Sequence, residues 1–274
     1  MISVNTNIGA MAAIQNLAST NRDLQITQNA ISTGKKVASA KDNGAIWSIA
    51  NKMTADVMAY GRVRESNERA SAILDTAIAA SESIMELLNE MKGKALAATQ
   101  PGLSAASQAA LAADFAQMRD QITNVIANAS FDGANMVGAT PASAISLGDA
   151  AGGNNITIAG ANLSLAGTVV TVTATSAVDT AVNAATALGL VNTSINNLGT
   201  QMATWGAGSK RLDVHREFVS KLSDALNTGI GAITDADLSK ESAKLQSLQV
   251  KQQLGIQALS IANSSAQSAL SLFR

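Results

Sequence analysis

Ile73-Leu74-Asp75-Thr76-Ala77-Ile78-Ala79-Ala80-Ser81-Glu82-Ser83-Ile84-Met85-Glu86-Leu87-Leu88-Asn89-Glu90-Met91 decides the fold class. Within it Ile73, Ala77, Ala80, Ile84, Leu87 and Met91 recur at spacings of three and four, the period of one face of an α-helix. Pro101-Gly102 ends the pattern, because proline cannot continue a helix. Upstream it reaches back towards Ser39, which stands three residues before Asp42 at capping-box spacing. A long helix is therefore expected from about Ser39 to Thr99. A further helix follows, carrying Leu111, Phe115, Met118, Ile122 and Val125.

The two ends of the chain repeat this character in thinner form. Ala10, Ile14, Leu17, Leu24 and Ile31 make an N-terminal stripe, and Gly34 suits its helix stop. Near the C-terminus the stripe is Leu238, Leu245, Leu248, Leu259, Ala262, Ala266 and Phe273, with Thr234 placed to cap it and Asp235 and Asp237 in the first turn. Between Leu188 and Leu226 a helical period runs through Val191, Ile195, Leu198, Met202, Trp205, Leu212 and Val219, and Gly229 and Gly231 are expected to interrupt it. Only the middle differs. Phe131-Asp132-Gly133 reads as a turn, and Asn155 to Ile158 and Thr168 to Thr175 read as short strands in a Gly-, Ser- and Thr-rich stretch. The expected fold is mainly α: long antiparallel, coiled-coil helices from both termini with a small β-rich insert.

Composition limits the function. The chain has 274 residues, a formal net charge of −1, and 3% aromatic residues. The balance of charge gives no electrostatic footprint for nucleic acid. There is no cysteine, so thiol chemistry is absent. No stretch is long and apolar enough to span a bilayer, and no secretory signal is recognised, which points to the cytoplasm unless export needs no cleaved signal. Residues 1–34 carry only Arg22 and Asp23 as charges, and residues 252–273 carry none. Helices with so few charges and such narrow stripes are marginal alone in water and call for partners. The nearest partner is the other end of the same chain; further partners are copies of it. The stripe residues Ile14, Leu17, Leu24, Ile31, Leu245, Leu248, Leu259 and Phe273 are the expected polymerisation interface.

Local motifs for catalysis or cofactors fall away. Gly34-Lys35 lacks the earlier glycine of a phosphate loop, since Asn29 stands there. His215 is the only histidine, so no multi-histidine metal site can form. The acidic residues between 65 and 90 read as solvated helix faces with neighbouring Arg and Lys. Trp47, in an Ala-rich helix, is expected to be a packing anchor. Neither a catalytic residue, a cofactor nor a metal is expected. Asn155-Ile156-Thr157 and Asn192-Thr193-Ser194 match the N-glycosylation pattern, which has an unmodified surface as its plain alternative.

Several motifs in order carry a resemblance. Val4-Asn5-Thr6-Asn7, the run Ile31-Ser32-Thr33-Gly34-Lys35-Lys36-Val37-Ala38-Ser39-Ala40-Lys41-Asp42, Phe131-Asp132-Gly133, Trp205-Gly206-Ala207, Asp235-Ala236-Asp237-Leu238, Gln253-Leu254-Gly255 and the closing Leu270-Ser271-Leu272-Phe273-Arg274 resemble those of bacterial flagellins. Departures are Asn43 in place of a second acidic residue, Gly44-Ala45-Ile46-Trp47, and Ala232 where many members carry Arg. The resemblance implies an extracellular filament subunit for swimming motility. Its termini, residues 1–40 with 233–274, would form an inner coiled-coil layer. Residues 41–129 with 178–232 would form a helical layer around it, and 130–177 an outer insert. It also implies export through the flagellum's own channel, with export apparatus, chaperone, hook-associated and cap proteins as partners besides the chain itself, and no partnership with nucleic acid or membrane. A hook–filament junction protein of the same superfamily is the alternative, and an enzyme or adhesin on the same frame is a more distant one.

The resemblance further implies a position for the site that a vertebrate innate receptor grips in detected members. The equivalent stretch is Asn89-Glu90-Met91-Lys92-Gly93-Lys94, where Glu90, Gly93 and Lys94 depart from a usual Arg, Glu and Leu and Lys92 keeps only a positive charge. Poor recognition is expected.

Overall fold

The structure is a computed structural model describing residues 6–271, with side chains to residue 264. Its elements are α1 (Ile8–Thr33), α2 (Gly44–Ala98), α3 (Ala105–Asn128), β1 (Ala144–Ser146), β2 (Ile156–Ile158), α4 (Ala181–Thr234) and α5 (Leu238–Ser271). The fold is mainly α, as expected. Contacts divide it into two compact units: the residues up to Ala55 with those from Asp224, and Asp56–Ser223.

Helix boundaries follow from side-chain chemistry. The Ala10 N–H donates to Asn7 Oδ1 at 3.0 Å at the head of α1, and Gly34, at φ 70°, closes it in the left-handed conformation that glycine adopts without a Cβ penalty. Asp42 Oδ2 accepts from the N–H and hydroxyl of Ser39, so the expected pair does form. It lies ahead of the helix, however, and α2 is capped by Asn43, whose Oδ1 accepts from Ile46 N at 3.1 Å. The residue that departs from the family pattern is therefore the N-cap. Ser104 caps α3.

Three expectations are corrected. Gly229 and Gly231 do not interrupt α4. A helical glycine costs only about 1 kcal/mol against alanine, which a long helix tolerates. Thr234 does not cap α5; its hydroxyl donates back to Ile230 O at the end of α4. Asp237 takes the cap, accepting from the Ser239 and Lys240 N–H groups. Thr168 to Thr175 is not a strand. Val169, Val170 and Val172 are buried, but Thr171 N donates to the Ser194 hydroxyl on α4 at 2.9 Å in place of a strand partner. The second strand is Ala144–Ser146, paired antiparallel with Ile156–Ile158 in the register Ala144↔Ile158, Ile145↔Thr157, Ser146↔Ile156. The turn at Phe131 forms as read: Asp132 (φ 49°) and Gly133 (φ 76°) both take positive φ between bridged Phe131 and Ala134, the signature of a type I′ hairpin.

The larger core belongs to Asp56–Ser223. Leu74, Ile84, Leu88 and Met91 of α2 meet Phe115 and Ile122 of α3 and Leu198, Trp205 and Leu212 of α4, all fully buried. The insert closes one flank with Met136, Val137, Leu163 and Val170, and Trp205 Nε1 donates to Ala159 O at 2.9 Å. Burying an indole is favourable only when its N–H finds an acceptor, and the insert supplies one.

Candidate assembly surface

In the other unit α1 and α5 run antiparallel as a two-helix coil. Three kinds of contact set its register. The Lys36 N–H donates to Thr234 O at 2.8 Å and the Ala236 N–H to Gly34 O at 2.9 Å, so the two connecting segments are stitched by backbone. Further along, Gln252 Nε2 donates to Asn21 Oδ1 at 2.7 Å and Asn7 Nδ2 to Ala262 O at 2.8 Å. Between these bonds, Gly255 faces Leu17, whose Cδ1 would lie 3.3 Å from an added Cβ. A side chain larger than glycine at 255 would crowd that leucine.

The stripes divide by exposure. Leu248 is buried, and Leu17, Leu24, Ile31, Leu245 and Leu259 are half-buried along the α1–α5 seam. Ile14 is 53% exposed and points away from it. Phe273 lies outside the described residues. The seam is thin: in α1 only Ala10, Thr27 and Ala30 are buried. Thr27 Oγ1 lies buried with no hydrogen-bond partner, a polar cost of about 1–3 kcal/mol inside the seam.

The sequence stripes missed a second apolar row on each helix. Ile8, Met11 and Ile26 join Ile14 on the exposed side of α1; Val250, Leu254 and Ile261 line the exposed side of α5. The spacings 250, 254 and 261 are helical, so the row could have been found by looking for a second stripe. Few charges flank these rows: Arg22 and Asp23 lie one turn before Ile26, and Lys251 adjoins Val250. Exposed apolar residues gathered in this way make the two helices a candidate interaction surface.

Trp47 is 40% exposed within the chain, and the buried indole is that of Trp205. On α2, Asn89, Glu90, Lys92 and Gly93 are exposed, whereas Lys94 is half-buried and paired with Asp114 of α3. Leu88 and Met91 point into the core. Among the exposed carboxyls held below their ordinary range by local hydrogen bonds are Asp42, by the N–H and hydroxyl of Ser39, and Asp149, by the Gly153 N–H and the Asn154 amide. Both serve turns. Among the described residues no group of His, Cys, Asp and Glu could hold a metal ion, and no helix is long and apolar enough to cross a membrane.

Residues 4–140 match the bacterial flagellin N-terminal helical region and residues 188–273 the bacterial flagellin C-terminal helical region. The chain is 48% identical over 272 residues to flagellin FljN of Caulobacter vibrioides, covering 99% of this chain and 98% of that protein. It is 38% identical to a flagellin of Brucella melitensis over the full length of both. The crystal structure of Bacillus cereus flagellin aligns with a TM-score of 0.50 at 21% identity, covering 56% of this chain and 88% of that one, a likeness of fold. Nothing among these relatives favours a hook–filament junction protein. A coil with two outward apolar rows, a second unit with its own core and these full-length matches lead to one conclusion: the chain belongs to the bacterial flagellins, structural subunits that polymerise into the extracellular flagellar filament.

Proposed function

We propose that the outward rows of α1 and α5 are the surfaces through which neighbouring copies pack, and that the stripe residues Leu17, Leu24, Ile31, Leu245, Leu248 and Leu259 hold the pair that presents them. Ile14 belongs with the outward set, and Phe273 contributes to the same polymerisation interface. The observation that carries this is the pairing of a thinly buried seam with unpartnered apolar side chains at Ile26, Leu254 and Ile261, which are 58%, 56% and 68% exposed. A chain that left them in water would gain nothing from them, whereas burying one leucine-sized side chain against a neighbour stabilises by about 1.5–3 kcal/mol. Trp47, exposed on the same unit, anchors packing between copies in this account.

The rest of the reading follows the family. Residues 1–40 with 233–274 form the inner layer, 41–129 with 178–232 the surrounding helical layer, and 130–177 the outer face. The chain is carried by the flagellar export apparatus and its chaperone, and meets hook-associated and cap proteins at the filament's ends. It is a structural subunit and not an enzyme. Ile26→Asp or Leu254→Asp is expected to leave the monomer's melting unchanged and to slow growth from filament seeds by roughly tenfold or more, since tenfold corresponds to about 1.4 kcal/mol. Growth at the parental rate from both variants would overturn the assignment.

A further inference from the structure

The second unit carries an exposed apolar ridge on α4 and, elsewhere, a shallow groove between α2 and α3. On α4, Val214 and Phe218 are 60% and 57% exposed one turn apart, with exposed Arg211 and Lys221 on the same face. Between α2 and α3 lies a shallow groove of about 380 Å³ over Ala79, Ala80, Ser83 and Val125. Its α2 wall is built of small side chains, which is why the space is there. Asp75, Glu82 and Glu86 are exposed along the same stretch of α2 and make no ion pair among the described residues.

We propose that the Val214–Phe218 ridge of one copy seats in the α2–α3 groove of the next. The assignment rests on the filament-subunit conclusion but uses a surface separate from the terminal coil. Register supports it. The Gln108 amide donates to both Ala98 O and Val178 O, placing the approach to α4 level with the end of α2. Asn67 Nδ2 donates to Leu212 O at 3.1 Å, which fixes the level at the other end, so α2 and α4 run antiparallel within this unit. Copies in a common orientation therefore present α4 of one antiparallel to α2 of the next. Setting Phe218 on Ala79 then brings Val214 to Ser83, Arg211 to Glu86, and Lys221 to the turn holding Asp75 and Thr76. A single shift pairs the apolar ridge with the groove and two basic residues with two acidic ones. Arg211 makes no ion pair among the described residues, and Lys221 has only an exposed partner one turn away, Glu217.

Counting helix rise from the Asn67–Leu212 level, ridge and groove lie roughly 27 Å apart along the axis of one copy at 1.5 Å per residue. They cannot meet within a subunit. Because the ridge and groove are different surfaces, their contact is heterologous, and its repetition gives an open polymer. Opposite charges flanking the ridge fix its register more than they add affinity.

The absence of cysteine makes the test clean. Val214→Cys with Ser83→Cys in one chain leaves Phe218 in place. Filaments grown from seeds and treated with a short bis-maleimide are expected to denature into a ladder of covalent oligomers, while treated dilute monomer and single-cysteine filaments yield monomer alone. Filaments that form, label fully and still denature to monomer would overturn the ridge contact and leave the terminal-coil reading intact. In a second arm, Arg211→Glu is expected to slow elongation by roughly tenfold and Glu86→Arg in the same chain to restore it. An unaffected rate for Arg211→Glu, or no restoration, would also overturn the contact.

Discussion

A chain lacking residues 255–274 is expected to lose seeded filament growth altogether while keeping one cooperative thermal transition from its second unit. The truncation removes the α5 side of the close approach at Leu17, the Ala262 carbonyl that receives the Asn7 amide, and the outward Ile256 and Ile261. What remains of the coil is pinned at its connected end by the Lys36–Thr234 and Ala236–Gly34 backbone bonds. That is a few bonds for two long helices, and such a remnant cannot offset the ordering entropy of about 1–2 kcal/mol per residue. The core around Leu74, Phe115 and Trp205 contains no residue from the deleted segment. Its transition should therefore persist within a few degrees. Filaments from the truncated chain, or loss of the transition, would show that the two units do not divide the labour of assembly and stability.

The second large effect concerns recognition. In a receptor-reporter assay with endotoxin-free monomer, this flagellin is expected to signal poorly. The variant carrying Glu90→Arg, Gly93→Glu and Lys94→Leu is expected to gain activity. Asn89, Glu90, Lys92 and Gly93 are presented on the exposed side of α2, so the stretch is accessible and its chemistry decides. Glu90 reverses the charge at a usual Arg position, Gly93 offers no side chain, and Lys92 lacks the planar fork that lets Arg hold a carboxylate bidentately. A repelled charge at a packed interface costs on the order of several kcal/mol. Lys94 adds a structural reason: its ammonium is committed to Asp114, where an apolar side chain is usual. Replacing it with Leu breaks that exposed pair, which is worth about 0–1 kcal/mol, so the variant should fold. Potent signalling by the unaltered chain would remove this account of the site.

Local chemistry was legible in the sequence wherever one residue type has one conformational use. Gly34, Pro101-Gly102 and Asp132-Gly133 end or turn the chain where they were read to, because their backbone preferences act without help from distant neighbours. Reading failed where the rest of a helix or tertiary packing decides. Gly229 looks like a break, yet its cost of about 1 kcal/mol is too small to stop a helix that continues on both sides of it. The valines near Thr171 have strand propensity, but the side chain of Ser194 takes the backbone donor that a strand would have offered to its partner. The proposed assembly surface was half legible. The main stripes mark the seam within the chain, and the outward rows at Ile26 or Leu254 lie off those stripes among neutral residues.

The central claim is that the terminal coil draws its stability from neighbouring copies. Hydrogen exchange compared between dilute monomer and filament tests it most directly. Amides of α1 and of α5 up to Ser264 should exchange rapidly in the monomer and slowly in the filament, while those around Leu88, Phe115 and Leu198 stay protected in both. Strong protection of residues 8–33 in dilute monomer would contradict the claim, because the seam would then be sufficient without any other copy.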